Sequence, residues 1–438
     1  MRKWLRVVSL GCLLTLAVGL ASAAQDMEGL DPLLKILVEN KVITLDQARA
    51  VQAEYVKQKA KEATVLKEDI GNQVGADIKK SSPAVPDALK GLKVGVLSYL
   101  SFQNGDRYTG TANETTAYND FVIKRGYLDV QKDITPYLAG RFTTDITRAS
   151  NGDWSVRVKY LYAKFHWADK GAGFASQLYS EVGQVHVPWH DYEESINGFR
   201  MQDEMFIERN GIFNSADMGA MIGGNFGGEM SADYKKSVNS AYAGRYGSFQ
   251  MGFYSGAGYH AADRNQNKPL EARISVRPFP DAVPGLQLTG FGVFGGKGNL
   301  SQIPGKELPD WNGWDGMLSY ESHYFTATAQ YLDFKGNQSG TALNPDGTAR
   351  RQTGYSFFVR GSLPPNAKWG AIARYDRFDP NPDGVPTLVR DVTKTLIGGV
   401  FYNVYQDNKV LLDYQVKQHE DPTIPDDKRV QLTFQLKF

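Results

Sequence analysis

With 438 residues, 49 basic against 48 acidic, the chain has room for two or three globular domains or one large sheet, and its near neutrality excludes a nucleic-acid binder that works through a broad phosphate-attracting field. The 45 glycines, 23 tyrosines, 22 phenylalanines and 7 tryptophans, in a chain of mean hydropathy −0.40, favour β structure rich in turns.

The first predicted element is a secretory signal peptide over 1–23. Arg2, Lys3 and Arg6 precede an apolar run from Val7 to Leu20 that is short for a membrane span, and Ala21-Ser22-Ala23 supplies the small residues of a cleavage site. Its removal leaves 46 basic against 48 acidic residues and takes away Cys12, the single cysteine. The mature chain then has no disulfide, thiol nucleophile, cysteine-ligated cluster or C-x-x-C-H haem attachment, and no cofactor is expected.

Residues 24–75 read as a helical segment on the periplasmic side. Asp31-Pro32 is a helix start, and Thr44 with Gln47 makes a capping box ahead of a second, charged helix. The heptad positions from Leu45 hold Ala48, Gln52, Tyr55, Lys59 and Glu62, which favours a helical hairpin with a solvated tail over an oligomerising coil. Residues 76–90 read as a linker, within a Gly-, Ser- and Pro-rich stretch that starts at Gly71.

From Gly91 to Phe438 the hydrophobic period becomes two. "SVRVKYLYAKF" sets Val156, Val158, Tyr160 and Tyr162 opposite Arg157 and Lys159, and "LEARISVRP" sets Leu270, Ala272, Ile274 and Val276 opposite Glu271, Arg273 and Arg277. The runs are about ten residues long, enough for a tilted strand to cross a bilayer core, and long connections alternate with short ones back from the C-terminus. That predicts an all-β, 16-stranded antiparallel transmembrane barrel over 91–438 with both ends on the short-turn, periplasmic side; 227–246 leaves room for two more strands and a count of 18. A soluble sandwich or propeller is disfavoured, since no blade repeat of about 40 residues appears.

Catalytic patterns are scarce. The six histidines form no H-E-x-x-H, and Pro188 between His186 and His190 disfavours a helical metal site. "GFGVFGGKGN" misses the phosphate-loop spacing and reads as a strand entering a turn. The polar strand faces carry the function, because in a barrel they cannot meet lipid. Arg125, Arg141, Arg157, Lys159, Arg273, Arg277, Arg360 and Arg374 are the expected pore-lining cations, beside Asp129, Asp145, Glu271, Asp376 and Asp413. The long connection from Val185 to Phe213 is the expected constriction loop, with Asp191, Glu193, Glu194, Asp203, Glu204 and Glu208 against Arg200 and Arg209.

"IKRGYLDV", "EVGQVHVPW" followed by "MFIERN", "FQMGFYSGAG" with "ARISVRPF", and "GGVFYNVYQDNKVLLDYQV" resemble the phosphate-selective porin O and P family of Gram-negative outer membranes. The resemblance implies a sixteen-stranded homotrimeric porin with an inward third loop, and in phosphate-specific members an arginine ladder and a lysine cluster. Arg125, Arg273 and Arg277 stand in matching stretches; "GAGYHAADRNQNK" has no lysine cluster. The expected partners are small ions and polar solutes, outer-membrane lipid and the barrel-assembly machinery addressed by the terminal Phe438, and no nucleic acid. The alternative is a barrel that sheathes a partner such as an electron-transfer cytochrome; a barrel enzyme comes third.

Overall fold

The computed structural model describes residues 30–81, 86, 89–110, 114–149, 151–168, 174–385 and 391–438, so the expected signal peptide lies outside the described residues. The chain divides into two compact units, 1–89 and 90–438.

The first unit is a helical hairpin of α1 (Pro32–Glu39) and α2 (Leu45–Ser81). Asp31 caps α1 by accepting from the Leu33 amide at 2.9 Å, with Pro32 in the first turn. Thr44 and Gln47 form the reciprocal capping box, amide to Gln47 Oε1 at 2.9 Å and amide to Thr44 Oγ1 at 3.3 Å. α2 passes Gly71 and Gly75 and ends at Ser81, inside the stretch read as linker. Each glycine costs a helix about 1 kcal/mol relative to alanine.

The second unit is a closed barrel of sixteen antiparallel strands. They are β1 (Leu92–Tyr108), β2 (Thr115–Thr135), β3 (Leu138–Arg148), β4 (Trp154–Ala168), β5 (Ala175–His186), β6 (Ala216–Phe226), β7 (Gly247–Tyr254) and β8 (Leu270–Val276). The ring continues with β9 (Leu286–Lys297), β10 (Asp310–Glu321), β11 (Phe325–Lys335), β12 (Arg351–Ser362), β13 (Trp369–Asp379), β14 (Thr393–Tyr405), β15 (Asn408–His419) and β16 (Asp427–Lys437). Every strand pairs with its sequence neighbours, and β16 returns to β1 in a register from Leu97–Lys437 to Asp106–Lys428. Among the described residues, three helices interrupt the connections: α3 (His190–Asn197), α4 (Phe206–Arg209) and α5 (Ala232–Ser237).

The alternation explains the architecture. Phe121 is 84% exposed, and Val156, Val182, Phe253, Ile274, Leu288, Leu318, Phe357, Leu396, Leu412 and Leu432 are exposed at alternate positions around the ring. An apolar belt that encircles a barrel is solvated by lipid, while closure satisfies the backbone with no open edge. Arginine in place of Leu432, which faces outward on β16, should cost about 2–4 kcal/mol near mid-bilayer. The expected result is loss of the compact, heat-modifiable band in gel electrophoresis, and a variant that keeps that band would reject the lipid-facing assignment.

Three features depart from the alternation. Residues 227–246 add no strand: Ser231 caps α5 by accepting from the Tyr234 amide, and one isolated bridge joins Glu229 to Gly244. The β1–β2 hairpin continues to Tyr108 and Thr115, well past the ten or so residues expected of a strand, because its polar tip pairs with itself beyond the apolar belt. Register shifts recur around the ring, and two of them reset the faces that carry lysines. β1 and β2 pass from Tyr99–Arg125 to Leu100–Ile123 and skip Lys124; β3 and β4 pass from Thr143–Tyr160 to Thr144–Val158 and skip Lys159. Tyr160 and Tyr162 are therefore buried inside, beside Lys159, and do not share the outward face of Val156 and Val158.

Candidate constriction inside the barrel

The Val187 amide donates to the Ser215 carbonyl at 3.1 Å and closes the neck of the segment between β5 and β6. Beyond it α3 runs to Asn197 and stops at Gly198, whose left-handed φ of 65° turns the chain toward Phe199. Trp189, Tyr192, Ile196, Phe206, Ile207, Ile212 and Phe213 pack on Phe291 and Val293 of β9, Trp311 and Met317 of β10, Leu332 and Phe334 of β11, and Phe378 of β13. Phe199 and Met201 pack in turn on Tyr99 of β1, Phe358, Ile372, Phe401 and Leu411. One short segment touches walls this far apart only by lying within the closed barrel.

Polar tacks hold the tip. Lys124 Nζ donates to the carbonyls of Met201 and Gln202, both at 2.8 Å, and Gln431 Nε2 to that of Gln202 at 2.6 Å. Arg374 Nη1 donates to the Glu204 carbonyl at 2.8 Å, Arg209 pairs with Asp376 at 2.8 Å, and Arg429 with Asp203 at 2.9 Å. Burial pushes the Glu208 carboxyl up, but Arg200 and His190 outweigh it and hold it at about 2. Burial, aided by the nearby Lys159 and Arg200 charges, depresses His190 to about 4, and burial, aided by Glu194 and Asp376, raises Glu193, whose carboxylate accepts from Trp189 Nε1 at 2.9 Å, to about 7.

Sequence-predicted residues fall into distinct places. Arg125, Arg141 and Lys159 stand on the β2–β4 wall opposite the loop. Arg125 pairs with Asp145 at 2.8 Å and with Glu204 at 3.4 Å. Arg141 pairs with Asp129 at 2.7 Å and reaches His186 at 3.0 Å. Lys159 lies over the rings of Tyr127 at 4.8 Å and Tyr160 at 5.3 Å. Facing them, Arg200 bonds Glu194 at 3.2 Å and Glu208 at 2.9 Å, and Asp191 accepts from Tyr242 and lies 3.6 Å from His186.

The other cations stand apart. Arg157 meets His260 at 2.8 Å near the long loops, and Arg360 donates to the carbonyls of Ser322 and His323 in a short turn. Arg374 lies on the far wall against Asp376 at 2.9 Å. Arg273 is 2% exposed, between the rings of Tyr192 at 4.3 Å and Tyr242 at 4.7 Å, and Arg277 is buried against Tyr234. Sequence reasoning missed Lys124; two adjacent cations in "IKRGY" break the alternation and were its signal.

Beneath α3, toward the short-turn end, lies a cavity of about 540 Å³ lined by Arg141, Tyr162, Lys164, Tyr179, Asp191 and Tyr242 among others. The Asp191 side chain is 41% exposed, so solvent reaches the cavity's roof.

No family model and no curated protein matches the chain. Among solved structures, Salmonella typhi OmpF, in a complex with daunomycin, aligns over 79% of this chain and 97% of its own at 10% identity, with a TM-score of 0.52. An anion-selective porin from Comamonas acidovorans aligns over 79% of this chain and 100% of its own at 10% identity, with a TM-score of 0.50. By fold, the chain shares the closed sixteen-stranded barrel of Gram-negative outer-membrane porins.

Proposed function

We propose that the chain is a passive outer-membrane channel for ions and small polar solutes, with residues 187–215 as its constriction. The observation that carries this reading is the opposition, across one level of the lumen, of a basic wall (Arg125, Arg141, Lys159) and an acidic loop edge (Asp191, Glu194, Glu204) above a solvent-accessible cavity. Opposed charge rows orient a dipolar solute and let both signs of ion through.

The arginines favour weak selectivity over a phosphate-specific ladder. Arg125, Arg141 and Arg374 already carry carboxylates, and Arg273 and Arg277 are covered by rings and carbonyls. A partner threaded through the barrel would have to displace the packed loop, which counts against the sheath reading. The sequence resemblance carries a homotrimer.

In planar bilayers the protein should conduct in steps, with a reversal potential near zero in a potassium chloride gradient and no block by millimolar phosphate. Lys159→Gln should move the reversal potential toward cations. Silence would reject the channel; strong anion preference with phosphate block would reject the weakly selective reading in favour of the ladder.

A further inference from the structure

The connection 227–246 lies on the short-turn side yet is long enough to hold α5. Gly244 allows its return to the sheet, since a Cβ there would fall 1.8 Å from the Gly247 carbonyl oxygen. Instead of hanging free, its far half enters the barrel and meets the constriction segment from beneath. Asn239 Nδ2 donates to the Ser195 carbonyl and to Glu321 Oε1, both at 2.9 Å, and the Tyr242 hydroxyl donates to Asp191 Oδ2 at 2.5 Å. The Tyr242 ring stands edge-on to Tyr192 at 5.4 Å.

Arg273 ties this contact to the wall. Its guanidinium sits against both tyrosine rings while Nε donates to the Pro188 carbonyl at 3.0 Å, Nη1 to Ser248 at 3.1 Å and Nη2 to Gln250 at 3.3 Å. Contacts then run in a closed circuit around the cavity. Tyr242 leads to Asp191, His186, Glu181 and Lys164, then to Tyr179, Gln250, Arg273 and back to Tyr242. α3, eight residues long, packs its apolar face on β9 to β11, and this circuit holds its polar, lumen-facing edge.

We infer that residues 239–242 are a periplasmic latch, and that Asn239, Tyr242 and Arg273 are positioning residues that set the opening of the constriction from below. The inference rests on the channel reading. An aromatic hydroxyl donated to Asp191 fixes the direction of a carboxylate at the narrowest level, so the latch acts on ion preference as well as on width. Perturbation from the periplasmic face then reaches the current without touching the long loops.

The full mature chain carrying Asn239→Ala and Tyr242→Phe should show at least tenfold faster backbone hydrogen exchange over residues 190–200. In bilayers it should flicker on the millisecond scale with mean conductance raised about 1.5-fold, and its reversal potential should move as Asp191 is released. Tyr242→Phe alone keeps the ring on Arg273 and should give a smaller change of the same sign; it carries the comparison should the double variant not fold. Unchanged exchange and current would overturn the latch. Faster exchange in a protein whose parent never conducts would reject the channel and leave the latch standing.

Discussion

Replacing Trp189 with alanine should raise single-channel conductance several-fold while the barrel stays folded. The indole is fully buried against Phe291 at 5.8 Å, at the root of α3, and its Nε1 holds Glu193. Truncating a buried tryptophan costs about 3–5 kcal/mol through lost transfer energy and the cavity left behind. That cost falls on the seating of 187–215, since the strands keep their hydrogen bonds with or without it. Exchange protection over β9 to β11 should persist while that of α3 collapses. Wild-type conductance in a variant whose α3 exchanges rapidly would mean that this segment does not limit the pore.

Acidity should tighten the same seat, and Glu193 should be the group responsible. Burial raises its carboxyl from 4.5 to about 7, with Arg374 and the Trp189 indole lowering it and Glu194 and Asp376 raising it; Asp315 of β10 also faces it. A carboxyl whose pKa is raised in the docked state binds its proton more tightly there than in the released state. Docking is therefore fully supported below about 4.5, weakens as pH rises from there through about 7, and is level above it. The shift corresponds to about 3 kcal/mol between the two plateaus. Current noise should rise over that window in the parent protein and stay flat in Glu193→Gln, whose amide oxygen still accepts from Trp189. An unaltered pH profile in that variant would assign the effect elsewhere.

The barrel was legible because its rule is short: alternate, then turn. The expected count of sixteen antiparallel strands is the count observed, and all but the two that run into the polar β1–β2 tip and β4 are 7 to 13 residues long, close to the expected ten or so. What alternation could not show is where it is interrupted. Lys124 and Lys159 each occupy a bulge, a register event between two strands; the adjacent cations of "IKRGY" mark the first in the sequence, and nothing in its own strand's pattern marks the second. The loop was recognisable by length and charge, and its neighbours were not. Arg273 looked like a pore cation by spacing alone, since its face is inward; that Tyr192 and Tyr242, 81 and 31 residues before it, close over it is a fact of tertiary packing. The segment 227–246 resisted assignment because its residues serve a contact with α3, not a sheet.

Fifteen of the sixteen strand pairings join sequence neighbours, and one, β16 to β1, joins the two ends of the barrel, where Ser101 and Thr433 meet hydroxyl to hydroxyl at 2.9 Å across 332 positions. Hairpins zip locally, but this seam needs nearly the whole domain to be in place first, so it carries the largest single loop-closure cost of the fold. Until it forms, the molecule is an open sheet with two sticky margins. A chain shortened by one strand does not make a narrower tube; it leaves β1 and β15 unmatched. Completion is therefore an all-or-nothing event that waits for β16.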